Sequence, residues 1–262
     1  MNIVQAVILG IVQGITEFIP VSSSGHLVLI REFLAWEDPG ISFDIALHCG
    51  TFLALLFYFR RLWLRIAKGG VRIFRKRLFW GIVFSTLPVA ILGYLGQSLV
   101  VKYFRSSIAV GIFLIIVASI FILTEKLYSR WETVKSKSVL SFTDYVLIGI
   151  AQSLALIPGV SRSGMTIAAG MNRKMSRRES AEFSFLLAIP AIFGAAAYDL
   201  FANYQSLSTN LWQTILGFCA ALIFGYFSLR FLINYLKKHS LNVFAYYLFA
   251  LGAIAIVFSL LW

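Results

Sequence analysis

Six apolar runs, roughly residues 44–59, 79–96, 107–124, 183–201, 212–232 and 241–262, are each long enough to predict a helix that crosses a bilayer. Two further apolar segments, around 3–34 and 144–172, are interrupted near their middles by polar residues. The first interruption reads Gln13-Gly14-Ile15-Thr16-Glu17-Phe18-Ile19-Pro20-Val21-Ser22-Ser23-Ser24-Gly25-His26. A helix running to Phe18 must end at Pro20, which lacks the backbone donor and biases its predecessor away from helix. The serines supply caps, and Gly25 a flexible position, for a second helix starting near His26. Gln13 and Glu17, four residues apart, project from one side of the first helix. Irregular backbone at membrane depth persists only where protein or a water-filled cavity satisfies it. The segment is therefore predicted to line a cavity, and the fold class is an all-α polytopic membrane protein.

Composition supports that frame: 60% of residues are hydrophobic and 13% charged, which excludes an ordinary soluble domain. The amino terminus, Met-Asn-Ile-Val, lacks a basic region and is read as mature structure. Cys49 and Cys219 lie inside apolar runs without metal-like spacing and read as buried free thiols.

The net charge of +12 gains meaning from its placement. Arg60, Arg61, Arg65, Lys68, Arg72, Arg75, Lys76 and Arg77 crowd one connection. Later ones carry Lys126, Arg130, Lys135, Lys137, Arg173, Lys174, Arg177, Arg178, Arg230, Lys237 and Lys238. If each broken pair enters and leaves on the same side, all of these fall on one face, and only Arg31, Lys102 and Arg105 on the other. The basic face is then cytoplasmic and both termini lie outside. Full two-crossing hairpins would give the same sidedness. The basic loops are short and lack a reader module, so they fit anionic membrane lipids and not nucleic acid.

The chain repeats itself at an offset of 139 residues: Gly10-Ile11-Val12-Gln13 matches Gly149-Ile150-Ala151-Gln152, and Val21-Ser22-Ser23-Ser24-Gly25 matches Val160-Ser161-Arg162-Ser163-Gly164. With three crossings between them, the broken pairs would enter from opposite sides. That arrangement is an inverted repeat, approximately 1–125 and 143–262, within a single membrane domain. Its six transmembrane helices are joined by two re-entrant pairs whose tips meet near the midplane. Helix N-termini at such tips suit an anion.

Two motifs carry a resemblance. Gln13 and Glu17 followed by Pro20-Val21-Ser22-Ser23-Ser24-Gly25-His26, and Pro158, Gly159, Ser161, Arg162, Ser163 and Thr166, are similar to the two signatures of the undecaprenyl-pyrophosphate phosphatases, also called BacA-type or bacitracin-resistance phosphatases. The run Glu182-Phe183-Ser184-Phe185-Leu186-Leu187-Ala188-Ile189-Pro190 extends the likeness over nearly the whole chain. The resemblance implies a multi-pass plasma-membrane enzyme. It would remove the terminal phosphate of undecaprenyl pyrophosphate, recycle the carrier for peptidoglycan synthesis, and face the outer side. Some relatives carry two carboxylates in the first motif; here the first is Gln13.

Arg162 is a permanent cation at membrane depth whose planar fork matches phosphate oxygens; the plain alternative is an internal ion pair with Glu17. Ser23 is chosen as nucleophile or closest phosphate ligand on the family resemblance, since spacing does not separate it from Ser22 or Ser24. His26 could carry the nucleophile's proton, or be a helix-start histidine bonded to a carbonyl. Glu17 could orient His26, act as base, or hold a divalent cation. Gln13, Ser22, Ser24, Ser161, Ser163 and Thr166 are candidate substrate contacts, the serines also being ordinary caps and Thr166 able to bond its own helix backbone. One arginine balances a pyrophosphate poorly, so a Mg²⁺ or Ca²⁺ ion is expected, through Glu17 or the substrate oxygens. Asp44 and His48, one turn apart, read as interfacial or packing residues. Glu125, Glu179 and Asp199 read as solvated, with Glu182 at the start of a span. A transporter or flippase for an anionic polyprenyl lipid, and a phosphate-binding subunit without catalysis, are the competing readings. Oligomeric state, a homodimer included, stays open.

Overall fold

The computed structural model describes residues 1–67, 72–104, 106–131, 140–202 and 211–261. Among them are the helices α1 (Ile3–Phe18), α2 (Ser23–Phe33), α3 (Ile41–Tyr58), α4 (Arg60–Ala67), α5 (Arg72–Tyr103), α6 (Ser107–Tyr128), α7 (Phe142–Leu154), α8 (Arg162–Asn172), α9 (Arg177–Ala202), α10 (Leu211–Tyr235) and α11 (Asn242–Leu261). Five of them contain segments long and apolar enough to cross a membrane: Leu78–Gly96, Ser107–Tyr128, Arg177–Tyr198, Leu211–Tyr235 and Asn242–Leu261. The sixth expected span is α3, whose 18 residues reach about 27 Å at the usual helical rise. The chain is a polytopic helical membrane protein. Lys68, Arg105, Lys135 and Lys137 lie outside the described residues, as do the side chains of Arg65, Arg72, Arg75, Lys76, Arg77, Lys102 and Asp199.

Both breaks fall where proline demands. The α1 helix ends at Phe18, and Ile19, which precedes Pro20, is extended at φ −61° and ψ 133°. Four residues later α2 begins, with Ser22 as N-cap accepting from the Gly25 N–H. The α7 helix stops at Leu154, and a turn through Pro158 and Gly159 leads to α8, capped by Ser161. Gly159 has φ +92°, and a Cβ there would sit 2.7 Å from the Val110 carbonyl, so the turn requires glycine.

Neighbours interchange at the same 139-residue offset that relates the motifs. The α1 helix lies against α10 and α7 against α5, while α6 pairs with α11 and α3 with α9. Apolar helices gain little from one another in lipid by hydrophobic burial, so close backbone approach matters. A Cβ on Gly10 would meet the Gly217 carbonyl oxygen at 2.3 Å, and one on its counterpart Gly149 would meet that of Ser85 at 2.7 Å. Backbone atoms cannot move aside as a side chain can. Gly10→Ala is accordingly expected to part α1 from α10 and destabilise the protein by about 1–3 kcal/mol, read as a lower thermal midpoint in detergent.

The main core gathers round the two tips. Phe18, one residue after Glu17, meets Phe185 of α9 edge to face at 5.5 Å, and Val110, Leu114, Phe121, Ile167 and Leu229 are buried with them. Ion pairs fasten the connections. Glu125 is not solvated: Arg177 donates to both its oxygens and stacks on Tyr128, and the Leu241 N–H donates to it at 2.8 Å. Arg173 binds the buried Asp144 at 2.6 Å. Glu179 does lie at the surface, accepting from Ser176, and Glu182 pairs there with Arg178. Asp44 is tied to Arg31, itself buried at the end of α2. Both cysteines are free, with Cys49 half-buried and Cys219 exposed on α10, against the expectation that both are buried.

Candidate functional site

A cavity of about 660 Å³ opens beside the two helix breaks. One wall is polar: Thr16, Glu17, Ser22, Ser23 and Ser24 from the first break, His48 from α3, and Ser161 and Arg162 from the second. The rest of the lining is mostly apolar and comes largely from α5 and α9, including Val89, Ala90, Gly93, Pro190, Ile192 and Gly194. Tyr94 and Tyr198 also line it and stand edge to face, 6.4 Å apart.

Glu17 is the centre of the polar wall. It is 6% exposed. Its Oε1 accepts from Arg162 Nη2 at 3.0 Å, and its Oε2 accepts from Ser23 Oγ at 2.8 Å and from Gln13 Nε2 at 2.9 Å. The two motifs therefore meet through one carboxylate, across 145 residues of chain. Arg162 also donates to the Ser184 carbonyl of α9. Charge-assisted bonds of this kind are short and directional, which fixes both groups.

The backbone is arranged for an anion. In α2 the Gly25 and His26 N–H groups are taken by Ser22 Oγ and Ser22 O, and in α8 those of Gly164 and Met165 by Ser161. The N–H groups of Ser23, Ser24, Arg162 and Ser163 have no partner among the described residues, and both helix N-termini border the cavity. Ser22 adopts φ +70°, a conformation costly for a residue with a Cβ.

Not every predicted residue reaches the cavity. His26 is buried; Nδ1–H donates to the Ser22 carbonyl at 2.8 Å and Nε2 accepts from Tyr247 O–H at 2.7 Å. The ring lies 5.7 Å from that of Tyr247 and nearly parallel to it, drawn toward α11, and it hydrogen-bonds to neither Ser23 nor Glu17. Thr166 Oγ1 lies 2.8 Å from the Arg162 carbonyl and 2.6 Å from Ser184 Oγ, and Ser163 Oγ lies 3.2 Å from Ser161 Oγ. Gln13, Ser163 and Thr166 stand behind the wall and support it.

Other side chains join without having been read as part of the site. His48 Nδ1 lies 2.9 Å from Gln13 Nε2 and 3.4 Å from Glu17 Oε2, so it belongs to the site and not to an interface. Its only sequence signal is a histidine inside an apolar span. Ser184 lies in the run from Glu182 to Pro190 that carries the resemblance but had no role there, and Tyr247 carried no signal, since its partner His26 is distant in sequence.

The donor set does not fit a divalent cation caged by the protein. Among the described residues no three His, Cys, Asp or Glu side chains gather as metal ligands. Glu17 is the single carboxylate on the cavity wall, and both its oxygens already accept hydrogen bonds. A Mg²⁺ or Ca²⁺ ion would draw most of its ligands from elsewhere.

The tie between His26 and Tyr247 can be tested directly. Tyr247→Phe leaves a buried ring nitrogen without its donor, at a cost of about 1–2 kcal/mol in stability. With Tyr247 outside the cavity wall, turnover is expected to stay within about threefold of wild type. A much larger loss in a folded variant would give His26 a direct part in the chemistry.

The family profile described as "Bacitracin resistance protein BacA" matches residues 6–254. The undecaprenyl-diphosphatase of Elusimicrobium minutum is 41% identical, with all of both chains covered. That of Desulforudis audaxviator is 40% identical, with 100% of this chain and 99% of the relative covered. That of Methanosphaera stadtmanae is 38% identical, with 99% of each covered.

Proposed function

The chain belongs to the bacitracin-resistance BacA family, and on that premise we propose that the Glu17 cavity hydrolyses undecaprenyl pyrophosphate to undecaprenyl phosphate and inorganic phosphate. The observation that carries the reading is the chain of bonds from Ser23 Oγ to Glu17 to Arg162, placed where two helix N-termini face an apolar-walled cavity.

Phosphoryl transfer needs in-line positioning and compensation of charge on the equatorial oxygens. Arg162 and the free N–H groups of Ser23, Ser24, Arg162 and Ser163 supply that compensation. Ser23 Oγ attacks the terminal phosphorus while its proton passes to Glu17 Oε2. The bridging P–O bond breaks, and undecaprenyl phosphate departs as a stable anion without a strong acid. Glu17 gives the Ser23 proton to an oxygen of the departing undecaprenyl phosphate and is a carboxylate again. It then takes a proton from the water that attacks the phosphoserine and returns it to Ser23 Oγ as that P–O bond breaks, and inorganic phosphate leaves. His26 holds the Ser22 turn, which presents Ser23. A Mg²⁺ or Ca²⁺ ion, which the protein's own donors would not cage, would serve here by neutralising charge on the substrate. The first isoprene units lie along α5 and α9, and the rest of the tail in the bilayer.

The exchange of neighbours at the 139-residue offset supports two repeats of opposite orientation, approximately 1–125 and 143–262. The basic loops support a plasma-membrane protein with that face cytoplasmic, and the cavity is assigned to the outer side. Purified protein in detergent is expected to release phosphate from undecaprenyl pyrophosphate and to carry label on Ser23 when quenched during turnover. Transbilayer movement of a labelled polyprenyl lipid with no phosphate release would instead support the transporter reading.

A further inference from the structure

We propose that His48 is a positioning residue for this reaction: through the Gln13 amide it holds the Glu17 carboxylate where it receives the Ser23 proton. The inference rests on the assignment of Ser23 and Glu17 above.

Gln13 Nε2 carries two N–H groups and no acceptor. It lies 2.9 Å from Glu17 Oε2 and 2.9 Å from His48 Nδ1. Turning the amide over would set Oε1 against the carboxylate, so the charge on Glu17 fixes the nitrogen toward it. The nitrogen then donates to both neighbours. His48 Nδ1 must accept, which makes the imidazole neutral with its proton on Nε2.

The remaining atom of the amide adds no restraint. Gln13 Oε1 is buried and has no hydrogen-bond partner among the described residues. Two contacts alone therefore set the orientation of a fully buried amide, one to Glu17 and one to His48. Without the acceptor at residue 48, the second N–H is buried unpaired and the amide can rotate away from the carboxylate. Glu17 would keep Arg162 but lose a donor on Oε2, the oxygen that takes the Ser23 proton. Groups facing the imidazole come from α1, as Gln13 and Glu17, with Arg162 of α8 beyond Glu17. Within α3, Thr51 Oγ1 donates only to the His48 carbonyl.

The chemistry names its own controls. The side-chain oxygen of Asn stands where Nδ1 stands in His, one bond beyond Cγ, and accepts; Leu fills similar space and accepts nothing. His48→Leu is expected to lower kcat for phosphate release from undecaprenyl pyrophosphate by about 10–100-fold, with KM within about threefold. His48→Asn is expected to recover most of that loss. Gln13→Met removes the donor side of the same link, so His48→Leu should add little to it. The inference is overturned if folded His48→Leu turns over like wild type, if its loss lies wholly in KM, if His48→Asn is as impaired as His48→Leu, or if the losses with Gln13→Met multiply. Should His48→Leu fail to fold, the kcat of His48→Asn against wild type and against Gln13→Met decides alone: near wild type supports the link, and a loss as deep as Gln13→Met overturns it. Wild type that releases no phosphate overturns the parent assignment, whereas active wild type indifferent to residue 48 overturns only this one.

Discussion

Arg162→Ala is expected to cut phosphate release from undecaprenyl pyrophosphate by at least about 10³-fold, the scale on which a single arginine contributes to phosphoryl transfer. Two losses combine. The pyrophosphate no longer meets a guanidinium at the junction of the two helix N-termini, and the buried Glu17 loses the cation bonded to it at 3.0 Å. A carboxylate left alone in such a place takes up a proton, and a protonated Glu17 cannot receive one from Ser23. Arg162→Lys restores charge but not the planar fork, so it should remain about 10²-fold below wild type. The second loss has its own signature in folding. Glu17→Gln in the Arg162→Ala background removes the unpaired charge and is expected to raise the thermal midpoint in detergent while leaving the enzyme inactive. If Arg162→Ala retains activity within about tenfold of wild type, the arginine is an internal ion pair and no more.

Ser23→Ala is expected to lower turnover by about 10⁴-fold or more, the consequence of deleting a nucleophile whose partners remain in place. It is also expected to abolish phosphate labelling of the quenched protein. The neighbouring serines should behave differently because their bonds differ. Ser22 caps α2 by accepting from the Gly25 N–H, and Ser22→Ala should cost about 1 kcal/mol of stability as lost caps do. Ser24 lines the cavity but makes no bond to Glu17, so Ser24→Ala should weaken turnover by less than about tenfold. Turnover in Ser23→Ala within about tenfold of wild type would give Ser23 a binding role and leave attack to water on Glu17.

Much of the architecture is legible in one dimension because its causes are local. Span lengths follow from apolar runs, and both breaks follow from Pro20, Pro158 and the serines beside them. Those features are set by backbone chemistry within a few residues. The polar wall was partly legible too, since a carboxylate, an arginine and a row of hydroxyls at membrane depth require a satisfied cavity. Partners were harder to read. His26 looks like the residue next to the nucleophile, yet its ring turns to Tyr247, 221 positions away. His48 looks like half of an interfacial pair with Asp44, yet Asp44 goes to Arg31 and the imidazole to Gln13, 35 positions away.

From its order of residues alone, then, the chain settles that it is a helical membrane protein with two interrupted segments of matching chemistry, because hydropathy, proline and capping act on neighbours along the chain. Which groups touch within the cavity was decided by packing: the approach of α1 to α10, of α7 to α5 and of α3 to α1 and α9 brings together side chains that no local rule connects. The Glu17–Arg162 bond joins the two motifs, and the Gln13–His48 contact exists only because α3 lies beside α1.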